Sequence, residues 1–106
     1  MAAPKFNVVK SIKREGNRLT VEVFGSLTID TANDFTKALE GKLSDVEELV
    51  LDMRFMAYVT SAGLRSLVKA IKEMSAHGGK VVCKNVNSDV MGVFELVNII
   101  PMITIE

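Results

Sequence analysis

The segment Thr60-Ser61-Ala62-Gly63-Leu64 holds the side chain best suited to chemistry in this chain. Ser61 is a small hydroxyl residue at the expected start of a helix, two residues before Gly63. The apolar run Leu49-Val50-Leu51 leads toward it through a segment, Met53 to Val59, that reads as an irregular loop. The serine oxygen has two uses open to it. It can accept a backbone N–H and cap the helix, worth roughly 1 kcal/mol over alanine. It can also take a phosphoryl group, which adds about −1.5 to −2 charges to a surface otherwise set by neutral packing. The two uses are compatible, because a phosphate is electrostatically favoured at a helix N-terminus.

Other reactive residue types offer less. Asp30, Asp34 and Asp52 fall on separate expected elements, so capping or solvated roles fit them better than metal binding. His77 precedes Gly78-Gly79 at an expected helix end and suits a partner for the helix dipole. Cys83 is the one cysteine and sits in an apolar run, the pattern of a buried strand residue. The chain shows no serine–histidine–acid set, no metal-ligand spacing and no glycine loop that would cradle phosphates. No enzyme activity, cofactor or metal is therefore expected.

The elements that must position Ser61 follow from apolar periodicity. Phe6 to Ile12 and Leu19 to Phe24 predict two strands joined at Glu15-Gly16-Asn17 as a hairpin, with Gly25-Ser26 ending the second. Thr31 followed by Asp34 predicts a capping box opening a helix whose inner face is Phe35, Ala38 and Leu39. Val46 to Leu51 predicts a buried central strand. The clearest helix starts at Ser61. It carries Leu64, Leu67, Val68, Ile71 and Met74 on one face and Arg65, Lys69, Lys72 and Glu73 on the other, and it stops at His77-Gly78-Gly79. Lys80 to Lys84 predicts a further strand. Ser88 is expected to cap a third helix with the stripe Val90, Val93, Phe94 and Val97, ended by Asn98. Met102 to Ile105 closes the chain as a short strand or extended tail. Strands alternating with helices imply right-handed parallel crossovers. The expected fold is an α/β sandwich: a mixed β-sheet with an N-terminal hairpin and parallel βαβ units, its helices packed on the sheet.

A length of 106 residues predicts one domain, residues 1–106, with a core that needs no disulfide or metal. Thirteen basic residues balance thirteen acidic ones, which leaves no electrostatic footprint for direct nucleic-acid or anionic membrane binding. The start carries no secretory pattern, and no apolar run is long enough for membrane insertion. A reducing cytoplasm is the expected location. The sequence does not fix an oligomeric state.

Taken together, these segments resemble the STAS domain, and specifically the bacterial anti-sigma factor antagonists. The family pattern has a strand ending in aspartate, a loop, then a segment like Thr60-Ser61-Ala62-Gly63-Leu64; here the aspartate is Asp52. Gly25-Ser26-Leu27 and Thr31-Ala32 match an earlier family motif. Gly78-Gly79-Lys80 before Val81-Val82, then Val90 and Phe94, match a later one. The resemblance implies partner switching. The unmodified domain would bind an anti-sigma factor that is also a serine kinase, phosphorylation at Ser61 would release it, and a PP2C-type phosphatase would reset it. It implies a partner-binding surface at Thr60, Ser61, Ala62 and Gly63, flanked by Asp30, Arg54, Tyr58 and Arg65. Arg54 could pair with a phosphate on Ser61. The family usually has aspartate immediately before the serine. Thr60 stands there in this chain, without the charge and as a minor rival acceptor. The alternative is a non-phosphorylated STAS accessory subunit of a cytoplasmic regulatory or transporter complex.

Overall fold

The computed structural model describes residues 8–106. Phe6 of the expected first strand lies outside the described residues. The strands are β1 (Val9–Glu15), β2 (Arg18–Leu27), β3 (Glu48–Val59), β4 (Lys80–Lys84) and β5 (Thr104–Ile105); the helices are α1 (Ala32–Leu39), α2 (Ser61–Ala76) and α3 (Ser88–Leu96). A single 3-10 turn, Ile100–Met102, precedes β5. The sheet order is β1-β2-β3-β4-β5. β1 and β2 form the expected antiparallel hairpin, with Gly16 at φ 62° in its turn. All other neighbours are parallel.

Each parallel crossover steps to the next strand in the same direction. Right-handed crossovers of that kind set every helix on one face of the sheet. Burial follows this geometry. Leu19, Val21, Val23, Leu49, Leu51, Met53, Val81 and Cys83 point into one core together with Phe35, Leu67, Met74 and Phe94 from the helices. Truncating a member such as fully buried Leu67 to alanine costs roughly 2–5 kcal/mol. The opposite face sets the buried pair Val50 and Val82 among polar residues. Across it, Arg18, Glu48 and Lys80 lie in register on three adjacent strands, with Arg18 at 2.8 Å and Lys80 at 3.6 Å from the Glu48 carboxylate.

Four local expectations are corrected. Gly25-Ser26 does not end β2, which continues to Leu27; Gly25 sits at φ 72° beside a register shift. Met53 to Val59 is strand rather than loop, because it pairs in parallel with Phe24–Leu27. Two register shifts in this stretch space its buried residues three apart, at Met53, Met56 and Val59, and so hide the period-two signal of a strand. Thr31 forms no capping box. Its hydroxyl accepts from the Thr28 N–H and donates to the Ser26 carbonyl, both at 2.8 Å, which fixes the β2–α1 loop. The cap of α3 is Asn87, not Ser88. Its Oδ1 accepts from Val90 N–H at 2.8 Å, while its Nδ2 donates to Met56 O at 2.9 Å. The helix ends behave as read. Gly78 takes φ 79° and the Gly79 N–H returns to Met74 O at the end of α2, and Asn98 takes φ 59° after α3.

Two outcomes are expected from this packing. Burial pushes the Cys83 thiol up to about 12, so the folded protein will resist an aromatic disulfide reagent at about pH 8 that modifies the denatured chain readily. Equal rates in the two states would contradict the assignment. The hydrogen bond from Arg18 holds the Glu48 carboxyl below its ordinary range. A depressed folded-state pKa stabilises above the unfolded value and loses that contribution as pH falls through the folded one. Thermal midpoints measured down the acid side will therefore decline less steeply in Glu48→Gln than in the parent.

Candidate functional site

The carbonyl of Leu27, the last residue of β2, is where the segment around Ser61 is fixed. Thr60 donates its N–H to Leu27 O at 2.9 Å. Its hydroxyl lies 3.4 Å from the same oxygen and accepts from Gly63 N–H at 3.4 Å. Thr60 is thus the N-cap of α2, in extended backbone, and Leu64 N–H closes the first turn on Thr60 O at 2.8 Å. Of the two uses open to Ser61, capping is taken by the residue before it. Gly63 is buried against Leu27. A β-carbon there would overlap the Leu27 carbonyl oxygen and sit 2.6 Å from its carbonyl carbon, so the helix and the strand end touch only because position 63 has no side chain. Ser66 closes the underside by donating to Gly63 O at 2.7 Å.

Relieved of capping, Ser61 is exposed at the first position of α2. Among the described residues its hydroxyl has no hydrogen-bond partner. Thr60, the rival acceptor, is half-buried and its hydroxyl is engaged. Each of α1, α2 and α3 follows the C-terminal end of a parallel strand, so all three N-termini lie at one end of the molecule. Their dipoles favour negative charge there.

The structure brings most of the expected surface to this end. Asp30 is exposed in the β2–α1 loop, with its N–H donated to the Thr28 hydroxyl at 3.2 Å. Tyr58 is 47% exposed near the end of β3, and Ala62 is half-buried beside Ser61. Arg65 is exposed four residues after Ser61, a spacing that puts both on one face of the helix. Arg54 is different. It lies five residues before the end of β3, roughly 16 Å back along an extended strand, and its N–H bonds the Asp52 carboxylate at 3.1 Å. It therefore lies far from Ser61 along the strand, whereas Arg65 is one helical turn away. Asp52 itself is a structural carboxylate. Partial burial raises its pKa, but hydrogen bonds from Asn85 and the Arg54 N–H outweigh that and hold it low. Among the described residues no group of three or more His, Cys, Asp or Glu could hold a metal ion.

Sequence reading missed two features of this end. One is the Leu27 carbonyl, a backbone group with no sequence signal. The other is an apolar groove beside Ser61, about 570 Å³, floored by Leu64 and Val68 and walled by Val97 and Ile99. Val97, assigned to an inward stripe, is in fact the exposed C-cap of α3. A surplus apolar residue at that helix end was the available signal.

The STAS domain family model matches residues 9–106. No curated protein sequence matches the chain. Among solved structures, one described as a candidate anti-sigma factor antagonist from Thermotoga maritima superposes with a TM-score of 0.81 at 21% identity, covering 90% of this chain and 83% of that one. The Bacillus cell fate determinant SpoIIAA in its phosphorylated form gives 0.72 at 13% identity, covering 91% and 89%. A sulfate transporter family protein from Wolinella succinogenes gives 0.72 at 15%, covering 82% and 71%. At these identities the structural likeness establishes the fold.

Chemical denaturation will separate the roles of Thr60, Ser61 and Gly63. Gly63→Ala should destabilise by roughly 1–3 kcal/mol through overpacking on Leu27. Thr60→Ala should cost roughly 1 kcal/mol as a lost cap. Ser61→Ala should stay within about 0.5 kcal/mol; a loss there equal to that of Thr60→Ala would show that Ser61 is structural.

Proposed function

The chain belongs to the STAS domain family, and from that membership we propose that it is a bacterial anti-sigma factor antagonist acting by partner switching. The observation that carries the proposal is the exposed, unengaged Ser61 hydroxyl at the first turn of α2. Unphosphorylated, the chain binds an anti-sigma factor that is also a serine kinase. The kinase transfers the γ-phosphoryl group of ATP to Ser61 Oγ, with loss of the hydroxyl proton, and the modified chain is released. A PP2C-type phosphatase hydrolyses the ester and restores binding. The chain contributes the acceptor and the docking surface; the transfer chemistry belongs to its partners.

The physical basis is local. A phosphate at the N-terminus of α2 meets the helix dipole and the unpaired amides of the first turn, with Arg65 on the same helical face. Modification therefore leaves the helix intact. It acts through about −1.5 to −2 charges presented to whatever docks beside Asp30, Tyr58, Thr60 and Ala62. Thr60 in place of aspartate, with its hydroxyl spent on Leu27 and Gly63, favours a second reading: a non-phosphorylated accessory subunit of a regulatory or transporter complex in the cytoplasm.

The test is incubation with ATP and a cognate anti-sigma serine kinase, followed by mass spectrometry. One phosphoryl group should map to Ser61 and be lost in Ser61→Ala. Ser61→Asp should weaken capture of that kinase about tenfold or more, a difference of ~1.4 kcal/mol. Transfer that persists in Ser61→Ala, or capture indifferent to the aspartate, would reject the switch and leave the accessory-subunit reading.

A further inference from the structure

We propose that the groove between α2 and the C-terminal end of α3 is a docking site for an acidic amphipathic helix of a partner protein, entered at the end where Ser61 lies. The groove floor is apolar, made by Leu64 and Val68 of α2, and its far wall is Val97 and Ile99. Its near rim is Arg65, Lys69 and Lys72. These three recur at helical spacing with Ser61 and so form one row along α2. Among the described residues no carboxylate lines the groove. Among the described residues none of the three cations has an ion-pair partner.

The neighbouring hollow between α1 and α2, about 420 Å³, shows what a self-compensated surface of this fold looks like. It sets Lys37 against Glu40 and Glu73 and shares Lys69 with the α2–α3 groove, so its field has no single sign. The α2–α3 groove has one sign and an apolar floor. That combination calls for a partner with an apolar stripe and an acidic flank. From Ser61 to Lys72 the row runs roughly 16 Å at 1.5 Å per residue, about three turns of a docked helix. Val97, on the far wall, is itself 44% exposed.

The role of Ser61 in this scheme rests on the switch reading above. A phosphoryl group there stands at the head of the cation row, next to Arg65. It competes from within for the charge that an acidic helix would use, and it repels the acidic flank directly.

A display library of amphipathic helices sharing one apolar face, with polar faces ranging from acidic to basic, tests the groove on the full chain. Recovered binders should be acidic and should shift the methyl resonances of Leu64, Val68, Val97 and Ile99. Their affinity should fall with added salt, and at least about tenfold in the double variant Lys69→Glu, Lys72→Glu. Basic or charge-indifferent binders, no binders, or resonance shifts confined to other surfaces would overturn the proposal. A chain carrying phosphoserine at position 61 reads the switch separately. An acidic helix that shifts the groove methyls in both forms equally upholds the groove while rejecting the switch.

Discussion

The structure around Ser61 depends on the approach of α2 to a single backbone carbonyl, that of Leu27. It accepts the Thr60 N–H, faces the Thr60 hydroxyl, and is touched by the bare Cα side of Gly63. Because Thr60 supplies the side-chain cap of the helix, Ser61 is left without that task. A side chain that caps a helix is held in place by the amide it accepts from. One that does not is free for an outside enzyme or partner. The availability of one hydroxyl therefore follows from the engagement of its neighbour.

That arrangement needs β2 and β3 to end together. At this end β3 carries an extra residue against β2 at each of two register shifts, and Gly25 of β2 takes φ 72°. The register shifts bring Leu27 level with Val59, one residue before the cap. Asn87 ties the same region to the third helix, since its side chain both opens α3 and holds Met56 O. The end of the sheet, the start of α2 and the start of α3 are thus linked through side chain–backbone hydrogen bonds. The helix-free face of the sheet takes no part in this and carries a polar row centred on Glu48.

Legibility in the sequence followed the kind of force at work. Where a face is buried by plain periodicity, as at Leu64, Leu67, Ile71 and Met74, the residues announced their helix. Glycine and asparagine at positive φ announced the ends of α2 and α3. Segments governed by competing hydrogen bonds were less readable. Thr31 and Asp34 had the composition of a capping box, but the Ser26 carbonyl claimed the threonine. Ser61 had the composition of a cap, but the cap is Thr60, whose backbone also reaches Leu27. Arg54 looked close to Ser61 in sequence and is distant in space because the intervening residues are extended.

The sequence alone determined the order of elements, the mixed sheet with its hairpin, the family, and the identity of the serine at the head of the second helix. Those rest on local periodicity and residue type, which are properties of neighbours along the chain. Tertiary structure decided that Thr60 caps and Ser61 is free, that Gly63 is required by a strand end 36 residues earlier, and that Arg65, Lys69 and Lys72 border an apolar groove shared with Val97 and Ile99. Each of these depends on contacts between segments far apart in the chain, and such contacts exist only once the sheet has brought those segments together.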